Sequence, residues 1–272
     1  MHYRAIVRIL GLLVTLFSVT MVPPALISLI YQDGSGLPFI LAFILCVLTG
    51  SAMWYSNREH RQELRAKEGF LIVALFWTVL ASFGAIPFIL LEQPSMSVTD
   101  AFFEAFSGLT TTGATVIEGI EFLPHSIQFY RQQLQWLGGM GIIVLAVAIL
   151  PLLGVGGMQL YRAETPGPVK DSKMTPRIAD TAKHLWYIYL SLTIACMVAY
   201  WLAGMSWFDA ICHSFSTIAI GGFSTHDASL GYFNSPMINV ICSVFLLIAA
   251  LNFSLHYAAV SSGSLKNYGK DP

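Results

Sequence analysis

Charge is what this sequence has least of. Only 11% of its 272 residues are Asp, Glu, Lys or Arg, where a soluble domain carries about 25%. That shortage excludes a soluble enzyme and a disordered chain, both of which need a solvated polar surface. The net charge is -1, so no overall field argues for nucleic acid or an acidic substrate. Four cysteines are too few for a disulfide framework. Cys46, Cys196 and Cys242 lie inside apolar runs and Cys212 sits beside one, and no CxxC or Cys/His spacing suits a metal. All four read as reduced packing residues. Catalytic signatures are missing too: there is no GxSxG, no HExxH and no Asp pair inside an apolar run. That argues against an intramembrane hydrolase, and nothing calls for a cofactor. What remains, with 56% hydrophobic residues, is an all-α polytopic membrane protein.

A crossing needs roughly 20 mostly apolar residues. Six stretches qualify: 5–30, 37–56, 69–91, 132–153, 185–205 and 237–259. The first has Arg4 and Arg8 ahead of it, but it is too long for a signal peptide and lacks a small-residue cleavage site. It predicts an uncleaved helix kinked near Pro23-Pro24. Thirteen of the fourteen Lys and Arg residues fall in the N-terminus, the connections 57–68 and 159–184, and the tail. Arg131 alone lies opposite. The positive-inside rule therefore predicts cytoplasmic termini and two cytoplasmic basic connections.

Two outer segments are neither loops nor spans. Residues 97–109 (SVTDAFFEAFSGL) and 206–218 (SWFDAICHSFSTI) are apolar and aromatic, yet as helices they reach only about 18–20 Å. Each opens with an acid, Asp100 or Asp209, suited to capping or to the positive helix end. Each leads into a Gly- and Thr-rich stretch, Thr110–Thr115 and Ala219–Ser224. The two copies align without a gap at an offset of 109 residues, matching Asp100 with Asp209, Phe106 with Phe215, Ser107 with Ser216 and Gly113 with Gly222. Such a repeat suggests duplicated units around a pseudo-symmetry axis.

The chemistry suits a cation. A half-helix entering from outside aims a partial negative charge inward. The strand behind it can turn carbonyls toward an axis and replace an ion's water shell. Gly113 and Gly222 allow the backbone angles this needs, and Thr111 and Thr112 add hydroxyls without bulk. Neither stretch holds a carboxylate or an arginine, which suits a weakly hydrated monovalent cation rather than a divalent ion or an anion. A secondary transporter with broken helices is a second reading, but its breaks come in mid-span, whereas these lie between spans.

The order of span, half-helix, Thr110-Thr111-Thr112-Gly113-Ala114-Thr115 and then Gln135-Trp136-Leu137-Gly138-Gly139-Met140-Gly141-Ile142 resembles the Trk/Ktr potassium-uptake superfamily. So do Gly156–Glu164 and Thr175-Pro176-Arg177-Ile178-Ala179. The resemblance covers essentially the whole chain. It implies two leading helices (1–68), a first span–pore-loop–span repeat (69–158), a cytoplasmic connection (159–184) and a second repeat (185–272). That makes six transmembrane helices plus two re-entrant half-helices, or two of the family's four repeats. The chain is accordingly read as the N-terminal half of a larger potassium-conducting subunit of the bacterial inner membrane. A non-conducting assembly partner and a sodium-permeable relative stay as alternatives. The resemblance places the selectivity filter at Thr110, Thr111, Thr112, Gly113, Ala219, Ile220, Gly221 and Gly222, with potassium at Thr111, Thr112, Ile220 and Gly221. It also implies a homodimer, a cytoplasmic nucleotide-binding (TrkA-like) regulatory subunit, contact with membrane lipid and no nucleic acid.

Other residues receive plainer readings. Glu104 and His213 share one position in the two half-helices and read as packing or hydrogen-bonding groups. Gly138, Gly139 and Gly141 read as a small-residue face for close helix approach, and His256 as a packed histidine. The six tryptophans read mostly as an interfacial belt. Glu59, Glu63 and Glu68 make 57–68 an ordinary solvated helix end.

Overall fold

The computed structural model describes residues 2–60, 66–141, 178–251, 256 and 259, and every regular element among them is helical. The connection 159–177, the motif residues Gly156–Arg177, the stretch 142–153 of the fourth span and most of the tail lie outside the described residues.

The first apolar run forms α1 (Tyr3–Ser18) and α2 (Val22–Tyr31), joined by a 3-10 turn at Val19–Met21. The expected kink thus falls one turn before the prolines. Pro23 and Pro24 have no N–H to give the carbonyls four residues earlier, at Val19 and Thr20. A later helix supplies the missing donor, since Gln133 Nε2 reaches the Thr20 carbonyl at 2.8 Å. The chain then returns antiparallel to α1 as α3 (Gly36–Ser56).

Next come α4 (Ala66–Gly84), α5 (Ile86–Ile89), α6 (Val98–Leu109) and α7 (His125–Gly139). After the undescribed stretch follow α8 (Ile178–Leu202), α9 (Trp207–Ile218) and α10 (Pro236–Ala250). Four helical stretches among the described residues are long and apolar enough to cross a membrane: Tyr3–Tyr31, Gly36–Ser56, Leu71–Ile89 and Lys183–Leu202.

Several boundaries differ from expectation. Helix α7 starts at His125, seven residues before the expected 132. Its first half holds Gln128, Arg131, Gln132 and Gln133, all buried, and a hydropathy window misses a polar helix enclosed by protein. Helix α10 ends at Ala250, where Leu251 turns extended (ψ 150°). His256 packs back on this helix, its Nε2 donating to the Ile248 carbonyl at 2.9 Å. Glu68 is not solvated: it is 1% exposed and accepts the His2 backbone N–H at 2.7 Å. Trp136, half-buried, stacks on Phe215.

Helices α1 and α3 touch backbone to backbone. A Cβ on Gly50 would lie 2.5 Å from Thr15 Oγ1 and 2.7 Å from the Gly11 carbonyl. Close approach through small residues is how apolar helices gain contact where no hydrophobic drive separates them from lipid. Gly50→Val should therefore force the pair apart at about 1–3 kcal/mol. Thermal unfolding of the detergent-extracted protein checks this, and an unchanged Tm contradicts the packing.

The loops that follow the two half-helices are stapled together by Asp227. Its carboxylate accepts the N–H groups of Ile120 at 2.9 Å and Gly119 at 2.8 Å, and these two donors hold it below the usual carboxylate range. A depressed folded pKa gives stability above the unfolded value and loses it as pH falls through the folded one. The staple is thus intact at neutral pH and released only in acid stronger than an ordinary carboxylate needs. Asp227→Ala should speed hydrogen exchange at Gly119 and Ile120 at neutral pH, and unchanged exchange contradicts the staple.

Candidate selectivity filter

The two half-helices are built alike. Ser97 and Ser206 are the N-caps, accepting the amides of Asp100 at 3.1 Å and Asp209 at 3.0 Å. The acids are therefore the third residues of their helices. They take the serine hydroxyls in return, at 2.7 and 2.6 Å. Helices α6 and α9 run for twelve residues each.

Both ends close in the same way. Thr112 N–H bonds the Ser107 carbonyl at 2.9 Å and Thr111 N–H the Gly108 carbonyl at 3.0 Å. In the second copy Gly221 N–H bonds Ser216 at 2.8 Å and Ile220 N–H bonds Thr217 at 3.1 Å. These are Schellman closures, and they put Thr111 and Ile220 in the left-handed region at φ 55° and 54°. A β-branched residue there is an outlier, costing about 1–3 kcal/mol. The sequence offered no sign of it, since Schellman closure usually draws glycine. Gly113 and Gly222 follow at φ 77° and 87°, as their expected role requires.

The two strands meet. A Cβ on Gly113 would run into the Gly221 carbonyl oxygen and come within 3.5 Å of Gly222 Cα. So Gly113, Gly221 and Gly222 are brought together from positions more than a hundred residues apart, with Thr111, Thr112 and Ile220 beside them in the chain. Thr110 turns its hydroxyl back to the Phe106 carbonyl at 2.7 Å, and that hydroxyl lies 2.8 Å from Thr112 Oγ1. Ala219 is buried.

Helix α7 is wedged between the two copies. Gly138 lies directly on the Leu109 carbonyl, and a Cβ on Gly139 would be 3.0 Å from Ala219. These glycines act by packing. Gln135, fully buried, accepts the Ser216 hydroxyl at 2.8 Å and the Phe223 N–H at 3.0 Å through Oε1.

One turn outward, Glu104 and His213 play matching parts. Glu104 takes the Thr115 hydroxyl at 3.0 Å. His213 Nε2 lies 3.0 Å from Ser224 Oγ, and its Nδ1 lies 2.8 Å from the Asp209 carbonyl. A carbonyl can only accept, so Nδ1 carries a proton and donates to Asp209, while the Ser224 hydroxyl pairs with Nε2. Thr115 and Ser224 are themselves repeat equivalents. Arg131, fully buried, joins both sites. Its Nε pairs with Glu104 at 2.7 Å, one terminal nitrogen reaches Thr115 Oγ1 and the other the Ser224 carbonyl, each at 3.1 Å. Its guanidinium covers the Phe223 ring at 4.3 Å. In the sequence Arg131 stands out only as the exception to the charge partition, and Gln135 only as the first residue of the Gln135–Ile142 motif. A lone arginine in an outer segment otherwise free of Lys and Arg was the available signal.

A family model described as TrkH, cation transport protein, matches residues 36–270. The Trk system potassium uptake protein TrkH of Vibrio parahaemolyticus is 68% identical over 274 residues, covering 100% of this chain and 56% of that protein. TrkH of Escherichia coli K12 is 65% identical over 272 residues, again 100% and 56%. The crystal structure of the potassium transporter TrkH from Vibrio parahaemolyticus superposes with a TM-score of 0.86 at 62% identity, covering 100% of this chain and 55% of that one. The chain spans about half the length of the curated relatives it matches. With half-helix, glycine strand and supporting helix in the same order, the chain belongs to the TrkH cation-transport family.

Proposed function

We propose that this chain forms half of a potassium-conducting pore, with Thr110–Gly113 and Ala219–Gly222 as two of its filter strands. The observation that carries this is the duplicated backbone. Left-handed residues fall at Thr111 and Ile220, and glycines with positive φ at Gly113 and Gly222, at the same offset in both copies. Two strands of equal conformation that touch at Gly113 and Gly221 are what a rotationally repeated ring of carbonyls requires. Potassium is the ion of the relatives' names, and its sites fall at the carbonyls of Thr111, Thr112, Ile220 and Gly221. A low-charge strand favours an ion that sheds its water cheaply over sodium.

In this reading the membrane holds six crossings, with α6 and α9 entering from outside and turning back. The repeats run 69–158 and 185–272 behind two leading helices. The termini and the connections 57–68 and 159–184 face the cytoplasm of a bacterial inner membrane, following the charge partition. The remaining strands of the ring come from sequence of the relatives' full length. The subunit pairs as a homodimer and is gated by a cytoplasmic nucleotide-binding regulatory subunit, of which the basic connection 159–184 is the docking candidate.

A full-length subunit carrying residues 1–272 should restore growth of potassium-uptake-deficient cells in low potassium. Gly113→Ser in that subunit places a side chain against the Gly221 carbonyl at a positive φ, displacing one filter carbonyl. The potassium-to-sodium permeability ratio should fall several-fold. An unchanged ratio at normal abundance contradicts the filter assignment.

A further inference from the structure

We infer that Arg131 is a positioning residue which sets the outer limit of the ion path and, through it, the preference for potassium over sodium; this rests on the pore reading above. Fully burying a guanidinium is a poor way to gain stability, because a well-packed apolar side chain of similar volume often does as well or better. The contacts of Arg131 give it another use. It sits on α7, which packs against both half-helices, and touches the equivalent residue in each copy: the Thr115 hydroxyl and the Ser224 carbonyl, both at 3.1 Å. Its face lies on Phe223, one residue earlier in the second strand.

Those contacts decide which carbonyls can face an ion. The Ser224 carbonyl is turned to the guanidinium and so away from the path. In the first strand the Ala114 carbonyl is likewise occupied, by the Ser107 hydroxyl. The coordinating run therefore stops at Gly113 in one copy, and the second is pinned immediately after Phe223. Distinguishing potassium from sodium depends on how many carbonyls surround the ion and how firmly their spacing is held. A planar fork with donors in fixed directions holds two strands in register, which a single ammonium cannot. The charge itself does not oppose a cation, because Glu104 pairs with it at 2.7 Å.

The experiment uses a full-length subunit carrying residues 1–272, reconstituted in liposomes, with reversal potentials measured in mixed potassium and sodium. Arg131→Lys keeps the charge for Glu104 but not the three-way reach. It should lower the potassium-to-sodium permeability ratio several-fold, whatever it does to Tm. Thr115→Val removes one hydroxyl and no charge, and should lower the ratio in the same direction. If Arg131→Lys does not accumulate, Thr115→Val decides alone. Potassium flux with an unchanged ratio in the variants that fold overturns the inference and leaves the pore reading standing. Absence of potassium flux from the unsubstituted subunit overturns both.

Discussion

An irregular strand has no ladder of its own to turn to, so other groups must answer its backbone donors and acceptors. Each unanswered donor or acceptor costs a few kcal/mol. The strands 110–115 and 219–224 meet this demand by borrowing. Their first amides close the half-helices behind them, at Ser107, Gly108, Ser216 and Thr217. Their outer ends lean on Glu104, His213, Gln135 and Arg131. The polar face of α7 is the consequence. A helix rich in glutamine inside an apolar protein is costly unless each side chain has a task. Gln128, Gln133 and Tyr130 show such tasks too, bonding the carbonyls of Ile120, Thr20 and Gly84, whereas the buried Gln132 amide has no partner among the described residues.

The two repeats share a backbone but not an electrostatic scheme. Glu104 brings a carboxyl group to Arg131, and His213 an imidazole that meets Ser224 and the Asp209 carbonyl. A single arginine lies between them. One buried cation needs one buried anion, so a carboxylate at both positions would leave a surplus charge next to Arg131. His213 holds Ser224 in place without a second carboxylate. The asymmetry follows from placing one arginine between two copies of a symmetric motif.

Much of this was legible in the sequence, and for physical reasons. The half-helices were readable because an apolar segment of about half a bilayer's length has few other uses. Gly113 and Gly222 stood out because glycine alone takes a positive φ without cost. The start of α7 was hidden because hydropathy measures affinity for lipid, and this helix is surrounded by protein. Thr111 and Ile220 were hidden because their left-handed backbone opposes their own preference and is imposed by the closures around them. Arg131 and Gln135 were hidden because their partners lie in the other repeat, 93 and 88 residues away for the Ser224 and Phe223 contacts.

The central claim is that the carbonyls of these two strands hold a dehydrated monovalent cation. Anomalous diffraction from crystals of the full-length subunit grown in rubidium tests it most directly, since rubidium is a heavy, weakly hydrated substitute for potassium. The account predicts anomalous peaks on the axis between Thr111–Gly113 and Ile220–Gly222. Peaks confined to other surfaces of the protein, with none within coordinating distance of those carbonyls, would contradict it.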